Sequence, residues 1–295
     1  MIWLIGAQGM LGSRLSELLD AAGLPALGSD IETDITSTAA LQAFAEDHPG
    51  ITCMINCSAY TNVDKAESDR ETAYAINETG VRNLAETAAR LDVPFIHVST
   101  DYVFDGMGTR PYREDDPPNP ISVYGASKLA GERAALAAWS KTVIVRTAWL
   151  YDSHGKNFLL TMLRVFREKG AASVVADQQG SPTWAADLAR AIQGVACNLQ
   201  QNTTPEMFGV FHFSNEGTTT WYDFAREIAS RAHKSGIIAS EAVVTPVASD
   251  AWPTPVKRPA WSVLDKTKIR AVHGVQVPEW KDALRSCLTG IHPEK

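Results

Sequence analysis

Gly6, Gly9 and Gly12 are evenly spaced between a short apolar run, Ile2 to Ile5, and a helical repeat in which Leu11, Leu15, Leu18, Leu19 and Ala22 share one face. A glycine-rich turn leaving a strand and opening a helix is the first half of a βαβ unit, and the rest of the first 150 residues repeats that alternation. Further β-type runs occupy 25–30, 52–57, 95–99 and 142–147, and helix-like stretches occupy 38–47, 70–91 and 123–138. Parallel strands need crossover helices, so this order predicts an α/β fold with a doubly wound parallel sheet of Rossmann type.

At ~150 residues per domain the chain of 295 residues makes about two domains. We expect a dinucleotide-binding domain over 1–150 and, over 151–295, a smaller mixed α/β lobe for substrate with some segments returning to the sheet. Helical spacing at Phe158, Met162, Val165 and Phe166, at Leu188, Ala191, Ile192 and Val195, at Trp221, Phe224, Ala225 and Ile228, and at Trp280, Leu284 and Leu288 marks four helices of this half. A strand is expected over 210–213. Two segments read as loops: 101–124, interrupted by Asp115 to Pro120, and the four-proline stretch 246–259, which can reach back to the first domain.

A 45% share of hydrophobic residues and 21% of charged ones excludes a long disordered chain. The net charge of -7 offers no basic surface for nucleic acid or anionic lipid, so neither is an expected partner. Cys53, Cys57, Cys197 and Cys287 form neither a disulfide framework nor a zinc-ligand spacing. With no positive leader pattern before the first strand and no apolar run near ~18 residues, the expectation is a soluble cytoplasmic protein.

The glycines have separate tasks: Gly6 allows the tight turn, Gly9 the approach of a phosphate, and Gly12 the contact of helix on strand. Backbone N–H groups and the helix dipole then converge where a dinucleotide pyrophosphate would sit. Asp30, 18 positions beyond Gly12 at the end of the second strand, is placed to accept from the adenosine ribose hydroxyls. Glu32 and Asp34 add negative charge, and neither turn holds Arg or Lys, which favours NADH slightly over NADPH.

A metal-free hydride transfer needs a proton donor for the carbonyl oxygen, and a tyrosine serves when a nearby cation lowers its pKa. Among seven tyrosines only Tyr124 has a lysine four residues on, Lys128, which places both on one helix face. Spacing alone leaves a surface helix pair open. Ser99 and Thr100 end the preceding strand, at the carboxyl edge where parallel sheets bind ligands, and supply a hydroxyl for the same carbonyl.

The glycine triplet, Thr100 and Tyr124-x-x-x-Lys128 together resemble the extended short-chain dehydrogenase/reductase family. A more specific likeness, to its branch that reduces dTDP-linked 4-keto-6-deoxy sugars, rests on 56–61, 63–67, 99–104, 123–132, 146–151, Asn157-Phe158, 177–183 and Arg258-Pro259, and so covers almost the whole chain. It implies NAD(P)H-dependent reduction of the C4 ketone of dTDP-4-dehydro-L-rhamnose to dTDP-L-rhamnose, a polysaccharide precursor. In this likeness Tyr124 donates the proton, Lys128 holds the nicotinamide ribose, and Thr100 orients the ketone. Gly9, Met10 and Leu11 cradle the pyrophosphate, Asp34 and Ile35 flank the adenine, and Ala59, Tyr60 and Thr61 line the cofactor. Asp101 and Trp149 contact the sugar nucleotide, and Asn157 and Arg258 its diphosphate.

Some members of the branch dimerise through a magnesium-bridged carboxylate cluster, but the aligned positions here are Arg14, Ala186 and Lys281. A monomer or weak homodimer without metal is expected, and no metal in catalysis. Two other readings stay open: a nucleotide-sugar 4-epimerase that regenerates its cofactor, and a cofactor-binding regulatory subunit resembling the methionine adenosyltransferase beta subunit.

Overall fold

Six parallel strands form the central sheet of a computed structural model that describes residues 1–201, 203–251 and 254–291. The chain enters it through β1 (Ile2–Ile5), α1 (Met10–Ala21), β2 (Ala26–Ser29), α2 (Thr38–Asp47) and β3 (Cys53–Asn56). Two short helices, α3 (Val63–Ala66) and α4 (Arg70–Tyr74), run through a π-helical turn at Ala75–Gly80 into α5 (Val81–Leu91). Next come β4 (Phe95–Thr100), α6 (Val123–Ala138) and β5 (Thr142–Thr147). The stretch read as one helix over 70–91 is thus three segments. Asn77 causes part of the break, because inside the π turn its side chain is buried and bonded to Tyr60 and Ser127 instead of facing solvent.

The second half supplies β6 (Leu150–Tyr151), α7 (Phe158–Lys169), β7 (Ala171–Val175), β8 (Gln179–Gly180), β9 (Thr183–Trp184) and α8 (Ala185–Gln201). It continues with β10 (Gly209–His212), β11 (Thr219–Thr220), α9 (Trp221–Lys234), β12 (Val243–Val247), α10 (Thr267–His273) and α11 (Trp280–Leu288). The main sheet runs β10-β5-β4-β3-β1-β2, so its last strand comes from the second half. Leu188, Ile192 and Val195 of α8 share one core with Leu11, Leu15 and Leu19 of α1. Each such buried leucine contributes roughly 1.5–3 kcal/mol. Ala22, expected on that face, is the exposed C-cap of α1. The opposite face of the sheet is covered by α2, α5 and α6, while α7, α9 and α11 enclose a separate core around Phe166, Phe224 and Leu284.

Part of the four-proline loop is strand. Pro246 lies in β12, which among the described residues pairs only with β7, so a residue without an N–H is tolerated at this edge. Pro253 lies outside the described residues. The end of that stretch packs against earlier segments of the chain: Pro259 lies on Gly106, and Arg258 bonds to Asp64. Among the described residues no helix is long and apolar enough to cross a membrane.

Candidate active site

The carboxyl ends of β1 to β5 open on one cavity of about 730 Å³, where the strand order reverses around β1. Gly6 has φ +77°, and a Cβ there would lie 2.7 Å from the Ser58 nitrogen; at Gly12 it would lie 2.0 Å from the Gly6 carbonyl oxygen. Both positions therefore exclude any side chain. Gly9 caps α1 without a side-chain bond, leaving the first N–H groups of that helix without a side-chain partner. This donor set and close backbone cradle fit a dinucleotide pyrophosphate.

Gly6, Gly9, Met10, Leu11, Asp30, Ala59 and Thr61 all line the cavity. Asp30 accepts from Gln8 N at 2.8 Å and Ile31 N at 3.0 Å, which fixes its carboxylate at the rim. Tyr60, Asp34 and Ile35 are not among the lining residues. Tyr60 donates its hydroxyl to Asp69 at 3.1 Å, Asp34 accepts from Thr36 N at 2.9 Å, and Ile35 is core against the Gly80 backbone.

Ser122 caps α6 by accepting from Gly125 N at 3.1 Å, which starts the helix just before Tyr124 and turns Tyr124 and Lys128 toward the end of β4. A Cβ at Gly125 would lie 2.1 Å from the Tyr102 carbonyl oxygen, so the loop after β4 can lie directly on this first turn. Tyr124 and Thr100 both line the cavity, and the Tyr124 ring stands edge-on to the Tyr102 ring, 5.5 Å between centroids. Thr100 Oγ1 donates to Asp101 Oδ1 at 3.0 Å. Asp101 is buried, its Oδ2 has no partner, and burial pushes its carboxyl up to about 7.

Lys128 is 2% exposed. Its Nζ donates to the Val98 carbonyl at 2.8 Å and lies 3.2 Å from His97 Nε2, and burial brings its pKa down to about 8. The sequence predicts that this cation acidifies Tyr124. Instead burial raises the phenol's pKa, because it is desolvated while the ammonium is turned toward β4. Acidification of the phenol is not achieved by the protein groups alone.

Trp149 holds a left-handed backbone, φ +48°, and stacks on Trp221 with centroids 3.6 Å apart. A bulky residue at positive φ is strained, a cost that clusters at functional sites. Both tryptophans line the cavity. Arg258 grips both Asp64 oxygens at 2.9 Å and donates to Tyr102 Oη at 3.1 Å. Tyr102, Trp221 and Arg258 also line a second cavity of about 940 Å³ beneath α7, so the two cavities adjoin.

Asn157 is elsewhere engaged: it caps α7 through Leu160 N at 3.1 Å and donates to the carbonyls of Asp152 and His154. Every polar atom of its amide is used, so it shapes the loop instead of facing a diphosphate. That loop brings exposed Lys156, which the sequence reading missed, into the cavity wall with Gly155 packed on Met10. Arg14 pairs with Asp152 at 2.7 Å. Among the described residues no three His, Cys, Asp or Glu side chains gather to hold a metal.

Also missed were His97, Glu132, Arg146 and Trp221 as parts of the site's framework. A signal existed for two of them, since His97 and Arg146 interrupt otherwise apolar strand runs, and a polar residue inside a buried strand demands partners.

Residues 1–292 match the family described as the RmlD substrate binding domain. A dTDP-4-dehydrorhamnose reductase of Streptomyces griseus is 42% identical over 287 residues, 96% of this chain and 91% of that protein. One from Aggregatibacter actinomycetemcomitans is 39% identical, covering 95% of this chain and 96% of its own length. Among solved structures, a dTDP-4-dehydrorhamnose reductase from Bacillus anthracis in complex with NADP superposes with a TM-score of 0.90 at 36% identity, covering 98% of both chains.

Proposed function

The chain belongs to the dTDP-4-dehydrorhamnose reductase family, and from that membership we propose that it reduces the C4 ketone of dTDP-4-dehydro-L-rhamnose to dTDP-L-rhamnose with NAD(P)H. One observation carries the reading: Thr100, Tyr124 and Lys128 line one cavity at the end of β4, with a glycine cradle on one side and Trp149 on the other.

When bound, the reduced nicotinamide supplies the hydride. Thr100 holds the ketone oxygen and Tyr124 delivers its proton there, so the developing alkoxide is neutralised as it forms. Lys128, beside the phenol, holds the ribose and stabilises the tyrosinate that remains. Gly9, Met10 and Leu11 hold the pyrophosphate at the start of α1, with Asp30 toward the ribose and Ala59 and Thr61 along the opposite wall. Trp149 and Asp101 border the sugar, and the adjoining cavity near Arg258 receives the nucleotide half. This fits a dianionic diphosphate beside a guanidinium already oriented by Asp64.

The carboxylate of Asp30 makes NADH the slightly favoured donor, against the precedent of NADP in the Bacillus anthracis relative. We read the chain as a monomer or weak homodimer without a metal bridge, since Arg14 is occupied by Asp152. The test is loss of absorbance by NADH and NADPH in turn, with dTDP-4-dehydro-L-rhamnose and other dTDP-keto sugars. Oxidation with the rhamnose precursor supports the proposal. No oxidation with either cofactor removes it, and turnover on cofactor retained from purification favours the epimerase.

A further inference from the structure

His97 lies on β4 directly beneath Lys128, fully buried, and the two-step reduction above has no task for it. Its two ring nitrogens each face one polar group: Asn56 Nδ2 at 3.0 Å from Nδ1, and Lys128 Nζ at 3.2 Å from Nε2. The orientation of Asn56 is not free, because its Oδ1 accepts from the Ser58 backbone N–H at 2.9 Å and from Ser58 Oγ at 2.6 Å. The group facing His97 is therefore the amide NH2, a donor, and Nδ1 must accept. Burial, with the Lys128 charge beside it, drives the His97 pKa well below its usual value, so the ring is neutral and carries one proton. With Nδ1 accepting, that proton resides on Nε2 and points at Lys128.

An ammonium has no lone pair to receive it. Another buried histidine shows what a relaxed arrangement looks like: His212 Nδ1 faces the Tyr112 carbonyl at 3.1 Å and Nε2 faces Arg146 at 3.4 Å, one acceptor and one donor. His97 instead sits between two donors.

From this geometry we infer that His97 is a positioning residue that disfavours the charged form of Lys128, by presenting Nε2–H to its nitrogen. It rests on the reductase reading of the same site. After Tyr124 has given its proton to the ketone oxygen, the Lys128 ammonium passes one proton to the tyrosinate. The amine left behind accepts from His97 Nε2–H, and a proton from solvent restores the ammonium. The cycle is balanced, with one proton taken up per ketone reduced, and the amine intermediate is the form His97 stabilises. The other titratable or charged groups acting on Nζ are Cys57 on the β3 side, whose thiol is pushed up to about 12 by burial and stays neutral, and Glu132 on its own helix. Glu132 is neutralised by Arg146.

Two measurements test this without turnover. In protein labelled with ¹⁵N-histidine, His97 is expected as the neutral tautomer protonated at Nε2 from pH 6 to 9; a proton on Nδ1 overturns the inference. In protein labelled with ¹³C at lysine Cε, Lys128 is expected to titrate near pH 8. His97→Gln can turn an oxygen toward Nζ, and Asn56→Ala frees Nδ1 to take the proton, so either variant is expected to raise that midpoint by about one pH unit. An unmoved midpoint in a folded variant overturns the inference, and the histidine spectrum decides it if neither variant folds. In steady state the alkaline limb of kcat should move up with the midpoint, which a merely structural loss would not do. A wild type lacking reductase activity but showing these titrations would defeat the functional reading and leave the tuning intact.

Discussion

Lys128 and Glu132 stand one turn apart on α6, both almost fully buried, and the fold treats their charges in opposite ways. Glu132 Oε1 accepts from Ser99 Oγ at 2.5 Å and Arg146 Nε at 2.9 Å, and Oε2 from Arg146 Nη2 at 2.6 Å. Arg146 in turn lies over the Phe104 ring and reaches His212. Around Lys128 and Tyr124 the opposite holds: Asp101 Oδ2 is unpartnered, burial above all raises the phenol's pKa, and the lysine meets a donor. A saturated cluster gains nothing from a ligand and fixes α6 on β4 and β5. An unsaturated one holds groups whose protons can move, and it stays in place because its saturated neighbour is rigid.

The comparison breaks first at Tyr124. Tyr124→Phe is expected to lower kcat for ketone reduction by about 10²–10⁴-fold while cofactor affinity, followed by nicotinamide fluorescence, changes little. An equal loss of cofactor binding would mean that the phenol belongs to the framework.

Arg146→Met should do the reverse. It leaves the Glu132 carboxylate buried without its partner, a loss of about 3–5 kcal/mol in chemical denaturation. Replacing Glu132 by Gln in the same chain should recover a large part, because the uncompensated charge is then gone. A double variant no more stable than the single one would show that packing, not charge, holds the cluster together.

The smallest effect sharpens the line between the two regions. The Asp101 carboxyl is raised in the fold from 3.8 to about 7. Its contribution to stability is therefore fully present below about pH 4 and is lost as pH rises through 7, because the unfolded chain ionises first. Asp101→Asn removes that loss, so its melting temperature should gain on the wild type between pH 4 and 8 by about 2–4 °C for each kcal/mol relieved. A difference independent of pH would place Asp101 with the saturated groups.

Much of the architecture is legible in residue order. The strand over 142–147 and the helices over 38–47 and 123–138 fall where periodicity puts them, because alternation and 3.6-residue spacing are local properties. The helix read over 70–91 failed at Asn77, whose buried amide serves Tyr60 and Ser127 far away in sequence and so leaves no periodic trace. Site residues divide the same way. Gly6, Gly12, Thr100, Tyr124 and Lys128 show themselves by spacing and by their place after a strand. Asn157 shows only its type, and the fold uses it as a helix cap. Lys156 and Trp221 have no local signature, since each enters the cavity on an element whose approach depends on how the lobe packs.

By itself the sequence determined a parallel sheet, a glycine cradle at the first helix, and a phenol and an amine on one helical face, all consequences of backbone geometry over a few residues. Tertiary structure alone decided which polar groups are satisfied, which are not, and hence where the protons rest. That follows from desolvation and from partners such as Asn56 and His97, which lie on different strands and meet each other beside Lys128 only when the sheet is assembled.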